Sequence, residues 1–546
     1  MDSTRYSQAS PRCDPIAEAS LPAELPAERF AIWAAVLLAT CLSSCGPSQP
    51  SSPNVLLVTL DTTRPDYFSC YGGTNRTPGF DALARSGVRF ESALSTSAVT
   101  PVSHASILTG LNPYDHGLRV LSAASGFRLP TSSTTLAGYL KSAGYATGAV
   151  HSAFPVSSYF GFNQDFDRFE SFDGTMDVGN GKTVWNLDDL QRRSDATTAL
   201  ALEVIDDLRS GGRPFFLWVH YWDPHDPTVL PPDEWLSGIG GSSAGGSASA
   251  QYEQVYSAEV RYMDRQFQGL MDGLERNGLR ETTLIALTAD HGQGLADGHK
   301  RHGWAAHRMT YQEQIHVPLI FAGPGLPVGD SQSALASTVD IVPTLLDLVG
   351  IAELHPSQLD LDGRSLRPLW EGQSLPPAIA YADQINGYDF NAKMVEQRPD
   401  AAFLFTVCDG TWKLIWRPHM PARSELFNLE EDPLETVNRI GSERATYLRL
   451  MADLAERRPW VLTHFPDDGS GGAVGVGEAL SALGYSGSGD EGDTGLVWRW
   501  ICPEHTEYSL PHPLPANSAS THGEDGCQRL LVPVCDWSSL GKPAPR

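Results

Sequence analysis

Cysteine is scarce, with 8 in 546 residues, and no CxxC pair occurs, which excludes a thiolate zinc knuckle. Basic residues are also few. Against 65 Asp and Glu stand 39 Lys and Arg, for a formal net charge of −26, and there is no long Lys/Arg cluster. That balance argues against nucleic acid as a partner. It also means that an anionic substrate would meet global repulsion, to be overcome locally by a cation and histidines. No internal repeat is evident, and the apolar run FAIWAAVLLATCL (Phe30 to Leu42) is short for a membrane span. What the chain does have is length, enough for one large core and a smaller domain.

The Phe30 to Leu42 run follows Arg29 and leads into Ser43-Ser44-Cys45-Gly46, the shape of a secretory signal. Its ending, LSSC, resembles the bacterial lipobox, whose cysteine is lipidated and becomes the mature N-terminus. This predicts a leader over 1–45, a lipid anchor at Cys45, export to the bacterial cell envelope, and membrane contact through the lipid only. A buried helix is the alternative. The Pro/Ala/Glu-rich residues before Arg29 are unlike an ordinary n-region and point to a start further downstream. Residues 46–53 read as a tether. Cys502, Cys527 and Cys535 crowd the tail, where an oxidising compartment would allow a disulfide.

From Asn54 the pattern changes. Short apolar runs rich in β-formers recur at Asn54 to Leu60, Ala146 to Val150, Phe215 to Val219, Leu284 to Leu287 and Val317 to Phe321, with helical segments between them. Such runs predict buried parallel strands in an α/β sheet with helices on both faces. Ligands of such sheets bind beyond the carboxyl ends of the strands, where Asp61, the pair Asp223 and His225, and the pair Asp290 and His291 fall. Val260, Met263, Phe267, Leu270 and Leu274 mark the buried stripe of a helix that Asn277-Gly278 stops. Between Ser237 and Ala250 a Gly/Ser/Ala-rich stretch reads as a flexible insertion. Past Trp370, alternating runs flank Asp409-Gly410 as a hairpin, so an antiparallel subdomain follows. The predicted division is therefore 54–370 for the α/β domain, 371–458 for the smaller one, and 459–546 for an irregular tail.

The segment TPVSHASILTG opens a helix at Thr100. Threonine suits the N-cap and Pro101 the first helical position, and the free N–H groups make an anion welcome beside Thr100. A plain helix cap is the bland alternative. Two aspartates (Asp61, Asp290), a histidine (His291) and the Thr100 oxygen form a four-ligand set for one divalent cation. Such a cation would lower the hydroxyl pKa and pull on an ester oxygen.

Six segments in order, NVLLVTLDTTRPD, SHASILTGLNPYDHGL, PFFLWVHYWDPHDP, TADHGQGL, YQEQIHVPLIFAGPG and DGTWKLIWR, resemble the sulfatase family of the alkaline phosphatase superfamily, over Asn54 to about Leu454. The resemblance implies that superfamily's fold. It makes Asp61, Asp290 and His291 metal ligands, puts Thr100 at the nucleophile position, and makes His225 a contact to the ester oxygens or leaving group. His307 matches a basic residue that assists the leaving group. His104 stands where the family has arginine and counts with the catalytic set. His220 and His116 read as structural, while His299 and His302 lie in what reads as a loop, solvated or lining the entrance.

The departures are specific. Arylsulfatases of the family carry Cys or Ser, converted to formylglycine, at the position of Thr100; threonine cannot yield that aldehyde, so none is expected. Thr62 stands where a second aspartate is common, and Ser152-Ala153-Phe154 replaces a Lys-Trp-His group. Calcium is the usual ion of the family, with manganese or zinc equally compatible with His291. The expected activity is metal-dependent hydrolysis of sulfate or phosphate esters of small molecules, glycans or lipids. The alternatives are a phosphodiesterase or phosphotransferase of the superfamily and a catalytically silent surface binding protein.

Overall fold

The structure is a computed structural model. It describes residues 52–457 except 122–127, 172–174, 178–182, 186–189, 226–228, 238–247, 352–353 and 389–391, together with 496–501 and 528–533. The leader, Cys45, the tether up to residue 51 and the cysteines of the tail lie outside the described residues.

Eight strands form the central sheet: β1 (Asn54–Leu60), β2 (Gly87–Phe90), β3 (Ala146–Val150), β4 (Arg168–Glu170), β5 (Phe215–Tyr221), β6 (Thr283–Ala289), β7 (Leu319–Ala322) and β8 (Asp330–Gln332). Their order is β8-β2-β7-β6-β1-β5-β3-β4. β1 lies between β5 and β6 and is parallel to both. Its side chains from Val55 to Leu60 are buried on both faces, which is why the run carries no alternation. One expectation is corrected here: β7 runs antiparallel to β6 and to β2. A continuous apolar run reports burial on both faces and carries no information about direction.

Helices cover the sheet, among them α1 (Thr100–Thr109), α2 (Ser194–Arg209), α3 (Ala248–Arg276) and α4 (Leu295–His302). The apolar stripe of α3 is buried as its spacing requires, and Gly278 beyond its end has φ +67°. The helix starts at Ala248, inside the stretch read as a flexible insertion. Alanine, the best helix former, extends it backward. The segment GHKRHG is likewise not a loop, since His299 and His302 sit on α4.

A second sheet is antiparallel: β9 (Ala380–Gln384), β10 (Leu404–Cys408), β11 (Trp412–Trp416) and β12 (Glu425–Asn428), in that order. The turn between β10 and β11 is the expected one. Gly410 has φ +97°, and Asp409 Oδ1 accepts from the Thr411 and Trp412 N–H groups at 3.0 and 2.7 Å.

Candidate active site

Parallel pairing delivers the site. β1, β5 and β6 are neighbours pointing the same way, so the residues after their last positions share one rim: Asp61 after β1, Asp223 and His225 after β5, Asp290 and His291 after β6. The ladder extends past the strand ends, with Asp61 N–H donating to Tyr221 O at 2.8 Å and Asp290 N–H to Leu60 O at 3.1 Å. Thr62 then turns with φ +45°; its N–H donates to Asp290 Oδ1 at 3.0 Å, and its carbonyl accepts from the Tyr256 hydroxyl of α3 at 2.7 Å.

α1 brings Thr100 to this rim. The helix begins at Thr100 itself, with Val99 as its N-cap, so the threonine is the first helical residue and not the cap expected from sequence. Its hydroxyl is thereby available to the cluster, and Oγ1 lies 3.3 Å from His291 Nε2. His291 Nδ1 donates to Gly292 O at 2.9 Å, which leaves the Nε2 lone pair facing Thr100 and Asp290. Asp290 Oδ1 is fixed by the N–H groups of Thr62 and His291, at 3.0 and 2.7 Å. Its Oδ2 is 3.4 Å from His291 Nε2.

Ligand-type atoms of Asp61, Asp290 and His291 lie within 4.8 Å of one another, and all three residues are buried. Asp61 Oδ1, Thr62 Oγ1 and Asp290 Oδ2 are buried without a hydrogen-bond partner. Burial, then repulsion by Asp290, pushes the Asp61 carboxyl well above its ordinary pKa; burial does the same to Asp290, against the N–H groups that favour its ionised form. Two desolvated carboxylates with oxygens aimed at one point fit a divalent cation, which alone would let both stay ionised.

The histidines divide into two groups. His104 and His220 back onto Thr100 and Asp61. His104 Nδ1 donates to Thr100 O at 2.8 Å, and Nε2 meets the Thr59 hydroxyl at 3.0 Å, which in turn accepts from Trp218 Nε1 at 2.9 Å. With both nitrogens engaged and the pKa lowered to about 3 by burial, His104 is a neutral prop under the first turn of α1. His220 Nδ1 accepts from Ser152 N–H, so Nε2 carries the proton toward Asp61 Oδ2, both at 3.3 Å. Ser152 thus braces a carboxylate-bound histidine at the position where the family has its Lys-Trp-His group. His116 is bonded to the Ser106 hydroxyl and the Leu118 N–H, as a structural residue should be.

His225 and His307 face the cluster. Their rings are 5.3 Å apart, and His307 is 5.1 Å from His291. Trp222 stacks on His225 at 3.8 Å. Asp223 points elsewhere, accepting from the Ser194 N–H and hydroxyl at the start of α2. Burial first, then the neighbouring histidines and Arg308, holds His225 and His307 neutral. Arg308 escaped the sequence reading. It is 3% exposed and has φ +81°, and its only sequence signal is the basic pair His307-Arg308 ahead of YQEQIHVPLIF.

A second group, His302, Glu313 and Glu435, also brings ligand atoms together. It is an ion-pair network: Glu313 pairs with His302 at 2.6 Å and Arg301 at 3.4 Å, and Glu435 with Lys413 at 2.7 Å. His299 is exposed.

Similarity to known proteins runs along the same residues. The family model described as Sulfatase matches residues 53–351, and one described as N-sulphoglucosamine sulphohydrolase, C-terminal, matches 300–458. The chain is 24% identical over 498 residues to the N-acetylglucosamine-6-O-sulfatase of Bacteroides thetaiotaomicron, covering 74% of this chain and 85% of that protein. In fold it is similar to BT4656, solved in complex with its substrate D-glucosamine-2-N,6-O-disulfate, with a TM-score of 0.60 at 22% identity over 77% of this chain and 100% of that one. It is also similar in fold to the phosphonate monoester hydrolase of Agrobacterium radiobacter, with a TM-score of 0.55 at 21% identity over 75% of this chain and 95% of that one. With the first model spanning more than half of its length, the chain belongs to the sulfatase family.

Proposed function

We propose that this member of a family of sulfate-ester hydrolases uses Thr100 as a covalent nucleophile in a metal-dependent site, acting on sulfate esters or related phosphate esters. The observation that carries this reading is the convergence of the Thr100 hydroxyl with unpartnered oxygens of Asp61 and Asp290 and the Nε2 lone pair of His291. Those residues would hold one divalent ion: calcium, manganese or zinc. Such an ion supplies a fixed positive charge that favours the alkoxide form of Thr100 and polarises an ester oxygen.

The residues of the chain do the rest. The Thr100 oxygen attacks sulfur or phosphorus, forming a Thr100 ester as the bond to the leaving oxygen breaks. His225 or His307, neutral in the free protein, takes up the proton that the Thr100 hydroxyl gives off, with the anionic ester lying beside the two rings, and hands that proton to the leaving oxygen. The same ring then takes a proton from the water that cleaves the covalent ester, and the Thr100 oxygen is released. His104 and His220 orient Thr100 and Asp61 and transfer no proton.

Sulfated sugars are the first substrates to try, since the relative and the solved structure named above act on or bind sulfated glucosamine. The threonine, the missing lysine group and the phosphonate monoester hydrolase likeness favour a second reading, a phosphodiesterase or phosphotransferase. Parallel assays with an aryl sulfate, a sulfated glucosamine, a phosphate monoester and a phosphodiester, after elemental analysis of purified protein, separate the two. Strong preference for a sulfate removes the second. Full activity in Thr100→Ala with none in Asp290→Ala would replace the covalent scheme by a water nucleophile.

For the N-terminus the reading remains export and lipidation at Cys45. Replacing Cys45 with alanine should move the protein from the membrane fraction to the soluble one. Among the described residues no helix is long and apolar enough to cross a membrane.

A further inference from the structure

At its carboxyl end β9 leads into two buried amides, Gln384 at 3% and Asn386 at 2% exposure. Gln384 Oε1 accepts from the Ser97 hydroxyl and the Ala98 N–H, both at 3.3 Å. Gln384 Nε2 donates to Asn386 Oδ1 at 3.1 Å. Asn386 Nδ2 donates to the carbonyls of Arg308 at 2.9 Å and Ala401 at 2.8 Å. Oxygen accepts and nitrogen donates at every link, so both amides have one consistent orientation. One end of this chain of bonds holds the backbone two residues before Thr100. The other holds the carbonyl of Arg308, the residue after His307.

The second attachment falls on a strained residue. A non-glycine residue at φ +81° is strained and persists where its surroundings over-determine it. The Asn386 amide on the Arg308 carbonyl is such a determinant, and neighbouring bonds reinforce it. Met309 N–H donates to Gln314 Oε1 at 2.6 Å, and the Thr406 hydroxyl of β10 to Thr310 Oγ1 at 2.7 Å. On the Thr100 side, Asp383 N–H donates to Thr96 O at 2.9 Å. The antiparallel sheet therefore grips both segments that carry proposed catalytic groups.

We propose that Gln384 and Asn386 are positioning residues, a two-amide relay that fixes the spacing between Thr100 and His307 by holding Arg308 in its left-handed conformation. This rests on the reading that Thr100 and His307 serve one site. Neither amide touches the reacting atoms, so their loss should change kcat more than substrate or metal binding.

The test uses the full chain with Asn386→Ala and, as a milder change, Gln384→Glu. On whichever ester of the panel the wild type turns over, kcat should fall about 10- to 100-fold while KM and metal content change less than about threefold. The double variant Gln384→Glu with Asn386→Ala should be no worse than the poorer single one, as expected of links in one chain. In a crystal structure of Asn386→Ala, Arg308 should leave the left-handed region and His307 should move. Full kcat in a folded Asn386→Ala protein, or an Arg308 that stays near φ +81° with His307 unmoved, overturns the relay. If Asn386→Ala does not fold, Gln384→Glu carries the same readouts. A wild type inactive on every ester, beside a variant in which Arg308 does shift, counts against the proposed chemistry and for the relay.

Discussion

Thr100 and His291 meet at 3.3 Å because a helix start and a strand end were brought to one rim, where Thr100 and the nearby His220 predict distinct losses. Thr100→Ala removes the proposed nucleophile and should lower kcat by several orders of magnitude, measured by steady-state turnover, while Asp61, Asp290 and His291 should still bind the proposed ion. His220→Ala should behave differently. Without the Nε2 proton on Asp61 Oδ2 the ligand is no longer oriented, and metal affinity should weaken about 10- to 100-fold by calorimetry. If the His220 variant binds metal like the wild type, the ligand reading of Asp61 is wrong. The meeting of Asp61, Thr100, Asp290 and His291 at one rim was legible in sequence because each stands at a strand or helix boundary within a motif. The amides of Gln384 and Asn386 were not, since Gln384 reaches Ser97 across 287 positions of sequence and no local pattern marks such a contact.

Elements were legible in proportion to their burial. β1, β3 and β6 are buried almost throughout and stand where the runs predict, whereas the edge strand β8, Asp330–Gln332, is polar and gave no signal. α4 reads as a loop because its run of polar and charged residues hides the ion pairs of Asp297, Arg301 and His302 that fasten it. The pairing of α4 with Glu313 makes a pH prediction. Burial pulls the His302 ring down and pushes the Glu313 carboxyl up. Each more than offsets this in the other, so His302 sits above its ordinary 6.5 and Glu313 below its ordinary 4.5. The pair therefore stabilises fully between those ordinary values. Its contribution fades as pH rises through the raised pKa of His302, and as pH falls through the lowered pKa of Glu313. Arg301, Glu435, Lys413 and the stacked Tyr311 ring complete the surroundings. His302→Gln should cost about 1–3 kcal/mol near pH 5.5 by denaturant titration, and less above the His302 pKa. A pH-independent cost would show that packing on Tyr311, and not the charge pair, fastens α4.

For the whole molecule, charge and metal set the expectations. A background of −26 repels an anionic ester, and salt screens it. Raising ionic strength from about 10 to about 150 mM shrinks the screening length from roughly 30 to roughly 8 Å, so kcat/KM for a sulfate ester should rise. A fall would mean that local cationic groups govern encounter. Chelation should lower Tm, and restoring the ion should raise it in a concentration-dependent way, because only the folded chain presents Asp61 and Asp290 together. The bond from Thr62 N–H to Asp290 Oδ1 spans 228 positions. A chain that ends before Asp290 cannot close that rim, and one that ends before Asn386 cannot anchor the Arg308 carbonyl. The proposed ion site would then be completed only by distant parts of the sequence together, and a product truncated before Asp290 should bind no stoichiometric metal.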